Sequence, residues 1–569
     1  MTAVLARARI LAARQTAVHA LLAARTPEGY WEGRLSSSAL STATAVSALA
    51  LAGAPEDAAL IRDGVGWLCA TQLADGGWGD TADSPSNMAT TLLAVSALRL
   101  AALATGEALP RAERYLVAKI GATPPERARA ILAAYGKDRT FAVPILMNCA
   151  LAGLVRWQDI PGLPFEMAAC PQQCFKALRL DVVSYALPAL IAIGLVLHRQ
   201  APTRNPFVRL LRNTTTGIVL RKLARIQPEH GGYLEATPLT SFVAMSLLPL
   251  FGREYPVTAK CLAFLRASAR ADGSWPIDSD LSMWVTTSAV TALAQAGALV
   301  DGETVRRWIA AHQHTTVHPY TQATPGGWNW TFRPGGVPDA DDTAGALIAL
   351  AHLGGHAATA AGARWLLQLQ NRDGGWPTFC RGWGQLPFDR SSPDITAHAL
   401  RALRGAAGNN AAVTRAVRRG LAYLTATQRE DGAWVPLWFG NQGAVGHANP
   451  VLGTARVLLA LAQLETGDAL ARDGVQYLCR AQQADGGWGG DLGVAPSIEE
   501  TALAISALSA YPTVAPDALA RGTDYLVRRI EADDWRTPAP IGLYFASLWY
   551  AEALYPLVWT VEALGRVTQ

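Results

Sequence analysis

One pattern punctuates this chain: a helix carrying an aromatic residue, then Gln, and six positions after the Gln a Trp that ends a Gly-rich turn. It reads GWLCATQLADGGW to Trp78, RWLLQLQNRDGGW to Trp376, GLAYLTATQREDGAW to Trp434 and GVQYLCRAQQADGGW to Trp488. Degenerate copies keep the turn and lose the Gln or the Trp, ending at Trp31, Tyr233, Trp275, Trp328 and Trp535. Successive ends stand from 42 (Tyr233 to Trp275) to 58 (Trp376 to Trp434) residues apart; only Trp78 to Tyr233 lacks a visible copy. A period of that length is one helical pair, a unit that buries its apolar face only by stacking on its neighbours.

The residues after each turn are equally regular. Ser, Thr or Asp with Pro opens a new apolar-periodic helix, as in SPSNMATTLLAVSALRLA and SSPDITAHALRALR. The first residue type caps a helix N-terminus and Pro suits its first turn. Period-2 alternation is essentially absent, so the expected fold is all-α, built from stacked helical hairpins. They close either as an open superhelix or as a double-ring α/α barrel. The Gln amide is expected to bond backbone at the next helix terminus and the repeat-end Trp to act as a strut.

Composition fits a large core. Half of the 569 residues are hydrophobic and 17% charged, against about 25% charged in average soluble domains. The longest apolar run, Tyr185 to Leu197, is 13 residues and contains Pro188, short of the roughly 18 that span a bilayer. A net charge of +4 without a Lys/Arg cluster argues against nucleic acid and tolerates an anionic membrane surface. The seven Cys are scattered, with no C-x-x-C pair, which fits buried thiols in a reducing compartment better than disulfides or a zinc ribbon. The N-terminal 25 residues alternate Arg with Ala and Leu, as an amphipathic helix rather than a secretory signal, so a cytoplasmic protein is the default expectation.

The segment richest in chemistry is PGGWNWTFRPGGVPDADDTAGALIAL, where Asp339, Asp341 and Asp342 open an apolar helix. An acidic N-cap accounts for part of this. A calcium loop does not, since Ala344 and Leu350 stand where Gly and Glu are required. Clustered carboxylates cannot all ionise cheaply, so at least one is expected to stay protonated and serve as a general acid. Aromatics outside the Gln/Trp frame, Trp284, Trp330, Trp438 and Phe439, could stabilise cations. In SSPDITAHALRAL, Asp394 and His398 lie four apart on one helical face, so the carboxylate is expected to hold the imidazole.

At these residues the sequence resembles the class II isoprenoid cyclases, specifically the squalene–hopene cyclase group. The repeats are similar to that family's QW motifs, and Pro338 to Ala344 is similar to its acid motif. The resemblance implies Asp341 as proton donor, Asp339 and Asp342 as its hydrogen-bonding neighbours, His398 as its partner and Asp394 as the acid orienting that His. It places Trp284, Trp330, Phe379 and Trp438 in a substrate cavity, with Phe545, Trp549 and Tyr550 as looser candidates. It implies two α/α barrels: residues 16–281 as the inserted one and 282–569 with 1–15 as the catalytic one. It also implies no metal and no cofactor, an apolar polyprene substrate, most simply squalene, a possible homodimer, and a monotopic seat on the cytoplasmic side of the inner membrane.

The sequence also departs from the family pattern: WFGNQGAVGHANPVLGT carries an insertion over 435–450, and Leu452 replaces a Tyr. A prenyl diphosphate substrate stays open as an alternative. So does an α/α-barrel glycosidase with paired carboxylates; a zinc prenyltransferase subunit and a non-catalytic scaffold are weaker rivals.

Overall fold

A computed structural model describes residues 2–136, 139–171, 187–319, 321–379, 389–406, 410–543 and 548–569. The chain divides into two compact units, one of residues 1–34, 280–332 and 336–569, the other of 35–279 with 333–335. The expected boundary at 15/16 falls inside a single helix, Thr2–Ala23, whose buried Ala13, Ala17 and Leu21 join the core of the first unit. The chain therefore passes between units only after Arg34.

In the first unit, among the described residues, six helices close into a ring, each packed on the next: Ser282–Gln295, Ala340–His352, Pro393–Ala406, Pro450–Leu464, Ile498–Leu508 and Tyr555–Val567, the last returning to the first. Outside them run Gly302–Ala311, Ala358–Leu369, Ala411–Thr427, Asp468–Ala481, Pro516–Glu531 and the N-terminal Thr2–Ala23. This is an α/α barrel. Sequence explains the two layers. The inner helix Ile498–Leu508 is buried along its whole length, while the outer Pro516–Glu531 buries one stripe and leaves its Arg and Glu in water.

In the second unit, among the described residues, five helices close a ring: Ala39–Ala52, Met88–Ala101, Arg139–Leu151, Leu187–Gln200 and Thr237–Phe251. The described part of the long apolar run, from Leu187 to Leu197, is an inner helix of this ring, so its hydrophobicity belongs to the core. The stretch without visible repeats is thus helical where described, with loops that lack the Gln/Trp turn.

The repeat turn is a three-way tie. Trp376 donates its indole N–H to the Leu366 carbonyl of its own outer helix, 2.8 Å. Its backbone N–H donates to Thr396 Oγ1 of the next inner helix, 3.0 Å. Its ring lies over Gly420 of the next outer helix, where an added Cβ would stand 3.2 Å from it. Gln370 completes the tie, donating to Gly374 of its own turn and to Ala416 of that outer helix. Trp78, Trp434 and Trp488 repeat the indole bond to the residue ten positions back. These Trp are struts, as their spacing predicts. Two of the degenerate copies form the same tie by other means: Gln313 serves Trp328 from 15 positions away, and Tyr233 replaces the indole with its hydroxyl.

Short strands do occur. Ser37–Ser38 pairs with Trp275–Pro276, and Phe439–Asn441, Ile541–Leu543 and Leu548–Tyr550 form an antiparallel sheet, Phe439 opposite Leu543 and Ile541 opposite Tyr550.

Candidate active site

The N-terminal ends of the inner helices carry the chemistry. Asp339 is extended (φ −135°, ψ 170°) and caps the helix Ala340–His352, its Oδ1 accepting from the Asp342 N–H at 2.8 Å. Its N–H donates to the Trp328 carbonyl, and the Ala340 N–H donates to Thr378. The acid turn is thereby pinned between two repeat turns before its first helical residue, so Asp341 has little freedom to move.

Asp341 lies deep in the unit, yet 14% of its side chain faces open space. Its Oδ1 meets Nδ1 of His398 at 2.5 Å and Nη1 of Arg456 at 3.8 Å. Among the described residues no donor reaches Oδ2. One oxygen is thus committed to cations and the other is left for a reactant.

The electrostatics separate the three carboxyls. Burial pushes Asp339 up to about 7. It pushes Asp342 well above the usual carboxylate range, helped by the charge of Asp339 and a hydrogen bond to it; Asp342 Oδ1 is buried without a partner. Burial would raise Asp341 too, but the charge and hydrogen bond of His398, then Arg456, overturn this and hold it below the usual value. Burial therefore pushes the flanking pair toward their neutral forms, and His398 and Arg456 make the middle carboxyl the most acidic of the three. This differs from the expectation that crowding itself keeps the donor protonated. Burial lowers His398, Asp341 pulls it back up, and Arg456 and Arg401 lower it further.

Asp394 does not hold the imidazole. Its Oδ1 accepts from the Ser392 hydroxyl and its Oδ2 is buried without a partner; burial, then the charge of Asp341, raises it. His398 has its bond to Asp341 instead, across from the neighbouring inner helix. Spacing of i and i+4 puts two residues on one face, but here Asp394 turns back to its own N-terminus.

The aromatic residues divide. Trp284 is buried against His398, edge to face at 6.0 Å, with Phe439 at 6.2 Å and the Arg456 guanidinium 5.2 Å over its ring. Trp330, Phe379 and Trp438 form an edge-to-face series, at 6.4 and 5.9 Å between successive centroids. Backbone pairing of Asp339 with Phe379 ties that series to the acid turn. Trp549 and Tyr550 are successive residues of one strand and so point to opposite faces. Trp549 meets His447 and Tyr550 meets Tyr555, so the two do not line one wall. Phe545 lies outside the described residues.

Arg456 escaped the sequence reading. Its only signal was a cation on a helix, Pro450–Leu464, that is otherwise apolar. The 435–450 segment is anchored by Glu500, which accepts from Asn441 and Asn449, each at 2.9 Å. Leu452 is buried in the first turn of the helix that Asn449 caps. No group of three or more His, Cys, Asp or Glu able to hold a metal exists among the described residues.

An acid strengthened by buried cations, opening onto aromatic surface, suits proton-initiated chemistry on an apolar substrate. The sequence profile of the squalene-hopene cyclase C-terminal domain matches residues 281–569, and that of the N-terminal domain matches 15–228. The chain belongs to the squalene–hopene cyclase family. It is 26% identical to a probable squalene–hopene cyclase of Sinorhizobium fredii, over 90% of this chain and 89% of that one. It is 31% identical to a drimenyl diphosphate synthase of Streptantibioticus cattleyicolor, over 48% of this chain and 51% of that one. The ent-copalyl diphosphate synthase of Streptomyces platensis shares the fold across 99% of both chains, with TM-score 0.61 and 20% identity. The protein is thus an isomerase of the class II cyclases, which acts on polyprenes.

Proposed function

We propose that the substrate is squalene and the product a polycyclic triterpene. The observation that carries this is the Asp341 carboxyl, with both cations on Oδ1 and Oδ2 free, in a chain aligned over nine-tenths of its length with a squalene–hopene cyclase. The Asp341 O–H bond breaks as its proton bonds the terminal alkene carbon. The resulting tertiary cation is attacked by the next double bond, ring by ring, and the last cation loses a proton or takes up water. Holding the chain folded lowers the entropic barrier of each closure, and Trp330, Phe379 and Trp438 offer faces that stabilise positive charge without attacking it.

Incubation of the detergent-solubilised enzyme with squalene, followed by mass spectrometry of the extract, tests this. A parallel incubation with geranylgeranyl diphosphate tests the second reading, which the partial likeness to a drimenyl diphosphate synthase favours.

The same proposal places the protein on the cytoplasmic face of the inner membrane. The outer helix Pro206–Ile226 of the second unit supports it. Phe207 is 83% exposed, Leu210 63% and Leu211 50%, with Ile218 also exposed, all on one helical face. The opposite face buries Val219, Leu223 and Ile226. The helix carries four Arg and one Lys and no acidic residue, a composition that suits an anionic lipid surface. No described helix is long and apolar enough to cross a membrane, so the contact proposed is interfacial. Sedimentation with phosphatidylglycerol vesicles tests it: wild type should co-sediment, and Phe207→Glu with Leu210→Glu should not. Mass photometry of the solubilised enzyme tests the expected homodimer.

A further inference from the structure

Arg456 and, when protonated, His398 bring positive charge to Asp341, and both approach the same oxygen. His398 Nδ1 is 2.5 Å from Oδ1 and Arg456 Nη1 is 3.8 Å from it. Arg456 is 11% exposed, and no hydrogen bond from its guanidinium reaches another described residue. Aromatic faces hold it instead. Its guanidinium carbon stands 5.2 Å from the Trp284 ring centroid and 5.5 Å from that of Phe439, two rings inclined by only 26°. Phe439 is fixed by strand pairing with Leu543. A buried guanidinium held in this way costs desolvation that needs a return; the carboxylate in ion-pair distance is Asp341, and Glu562, held ionised by Arg566 and Arg401, also feels its charge from farther away.

We propose that Arg456 is a positioning residue that, together with His398, sets the acid strength of Asp341 and so permits protonation of an unactivated carbon–carbon double bond. The inference rests on Asp341 as the proton donor. When the proton leaves Oδ2, negative charge appears on the carboxylate, and Arg456 lies at its Oδ1 edge. The carbon that receives the proton lies beyond Oδ2, farther from the guanidinium. Coulomb's law at these distances therefore favours the attraction to the carboxylate over the repulsion of the new carbocation. The Trp284 and Phe439 faces take up part of the guanidinium charge and reduce that repulsion further.

The other ionisable groups around Asp341 do not oppose this. Asp339 and Asp342 on its own turn and Asp394 on the next inner helix are all pushed toward their neutral forms, first of all by burial. Arg401, one turn beyond His398, adds a further positive charge that acts on the imidazole.

An acid's strength matters most to the weakest base. Transfer to an alkene is nearly complete in a carbocation-like transition state, so its rate follows acidity steeply; transfer to an epoxide oxygen follows it weakly. The test is turnover by the full-length enzyme and its Arg456→Gln and Arg456→Lys variants on two substrates, the polyprene and the same chain with a terminal epoxide. On the low-pH plateau, where Asp341 is protonated, the Gln variant should lose about tenfold on the alkene and less than about threefold on the epoxide. The Lys variant should recover most of the alkene rate, and the alkene pH profile of the Gln variant should shift upward by about one unit. Equal losses on both substrates, or no loss on the alkene, would overturn the proposal. Thermal melting checks folding; should the Gln variant not fold, the alkene-to-epoxide ratio of the Lys variant decides alone, and a ratio equal to wild type with both rates depressed overturns the proposal. Failure of the parent reading is separate, because it would show as polycycle formation by Asp341→Asn.

Discussion

His398 and Asp341, 57 positions apart in the chain, meet through Nδ1 and Oδ1 at 2.5 Å from adjacent inner helices of one barrel. Each side chain sits near the N-terminus of its helix, and each helix start is fixed by a repeat turn, Trp328 before the first and Trp376 before the second. The acid pair is therefore held by the ties that hold the barrel together.

The pH dependence follows from this contact. His398 and Arg456 hold Asp341 below the usual carboxylate value against the effect of burial, so at neutral pH its acid form is the minor one. The rate should climb as pH falls and the acid form of Asp341 gains population. Log kcat/KM is expected to rise with a slope near one per pH unit from about pH 8 toward pH 5. A rate independent of pH across that interval would contradict the assignment of Asp341 as a strengthened acid.

Asp394 and His398 should separate under mutation. Asp394 is bonded to Ser392, whose hydroxyl also accepts from the Leu437 N–H, while His398 touches the acid. Asp394→Asn is expected to lose less than about tenfold in kcat, and His398→Gln about a hundredfold, within the span of a general-acid contribution. Steady-state kinetics on the two variants decides it, and equal losses would mean that Asp394 acts through the imidazole after all.

The struts predict a loss of stability without a change of product. Trp376→Phe leaves the Leu366 carbonyl without its donor, at a cost of about 1–3 kcal/mol. The melting temperature should fall by a few degrees while the product spectrum stays that of the wild type, which calorimetry and mass spectrometry of the extract together check.

Much of this was legible in the residues themselves. The Gln-to-Trp interval announced helical pairs because every turn must satisfy the same carbonyls, Gly374 and Ala416 at Gln370 and Gly486 and Ala518 at Gln482. Asp341 with His398 was visible as motif and neighbour. Arg456 was not, because a lone Arg on an apolar helix carries no spacing signal until the fold brings it to Asp341. The false expectation for Asp394 has a related cause: helical spacing selects a face, but not which way a short carboxylate turns. The resemblance put Trp549 and Tyr550 together as looser cavity candidates, whereas a strand sends them to opposite sides.

A second acidic group makes a separate prediction. Burial, then the charge of Glu500, pushes Glu499 up to about 8, and burial pushes Glu552 up to about 8; Glu499 Oε2 and Glu552 Oε1 are buried without partners. The folded protein binds these protons more tightly than the unfolded chain. Their stabilisation is thus complete below about pH 4.5 and is lost as pH rises to about 8. Glu552→Gln should flatten that decline and melt higher than wild type at pH 8, as thermal denaturation across the range would read; an unchanged or steeper decline would contradict it.

The most direct measurement is the conversion of squalene by the wild-type enzyme and by Asp341→Asn under identical conditions, with the extracts compared by mass spectrometry. Wild type should yield polycyclic products of the mass of squalene, or of its hydrate, and the Asn variant, folded to the same melting temperature within a few degrees, should yield none. Polycycles from the Asn variant at the wild-type rate would contradict the account.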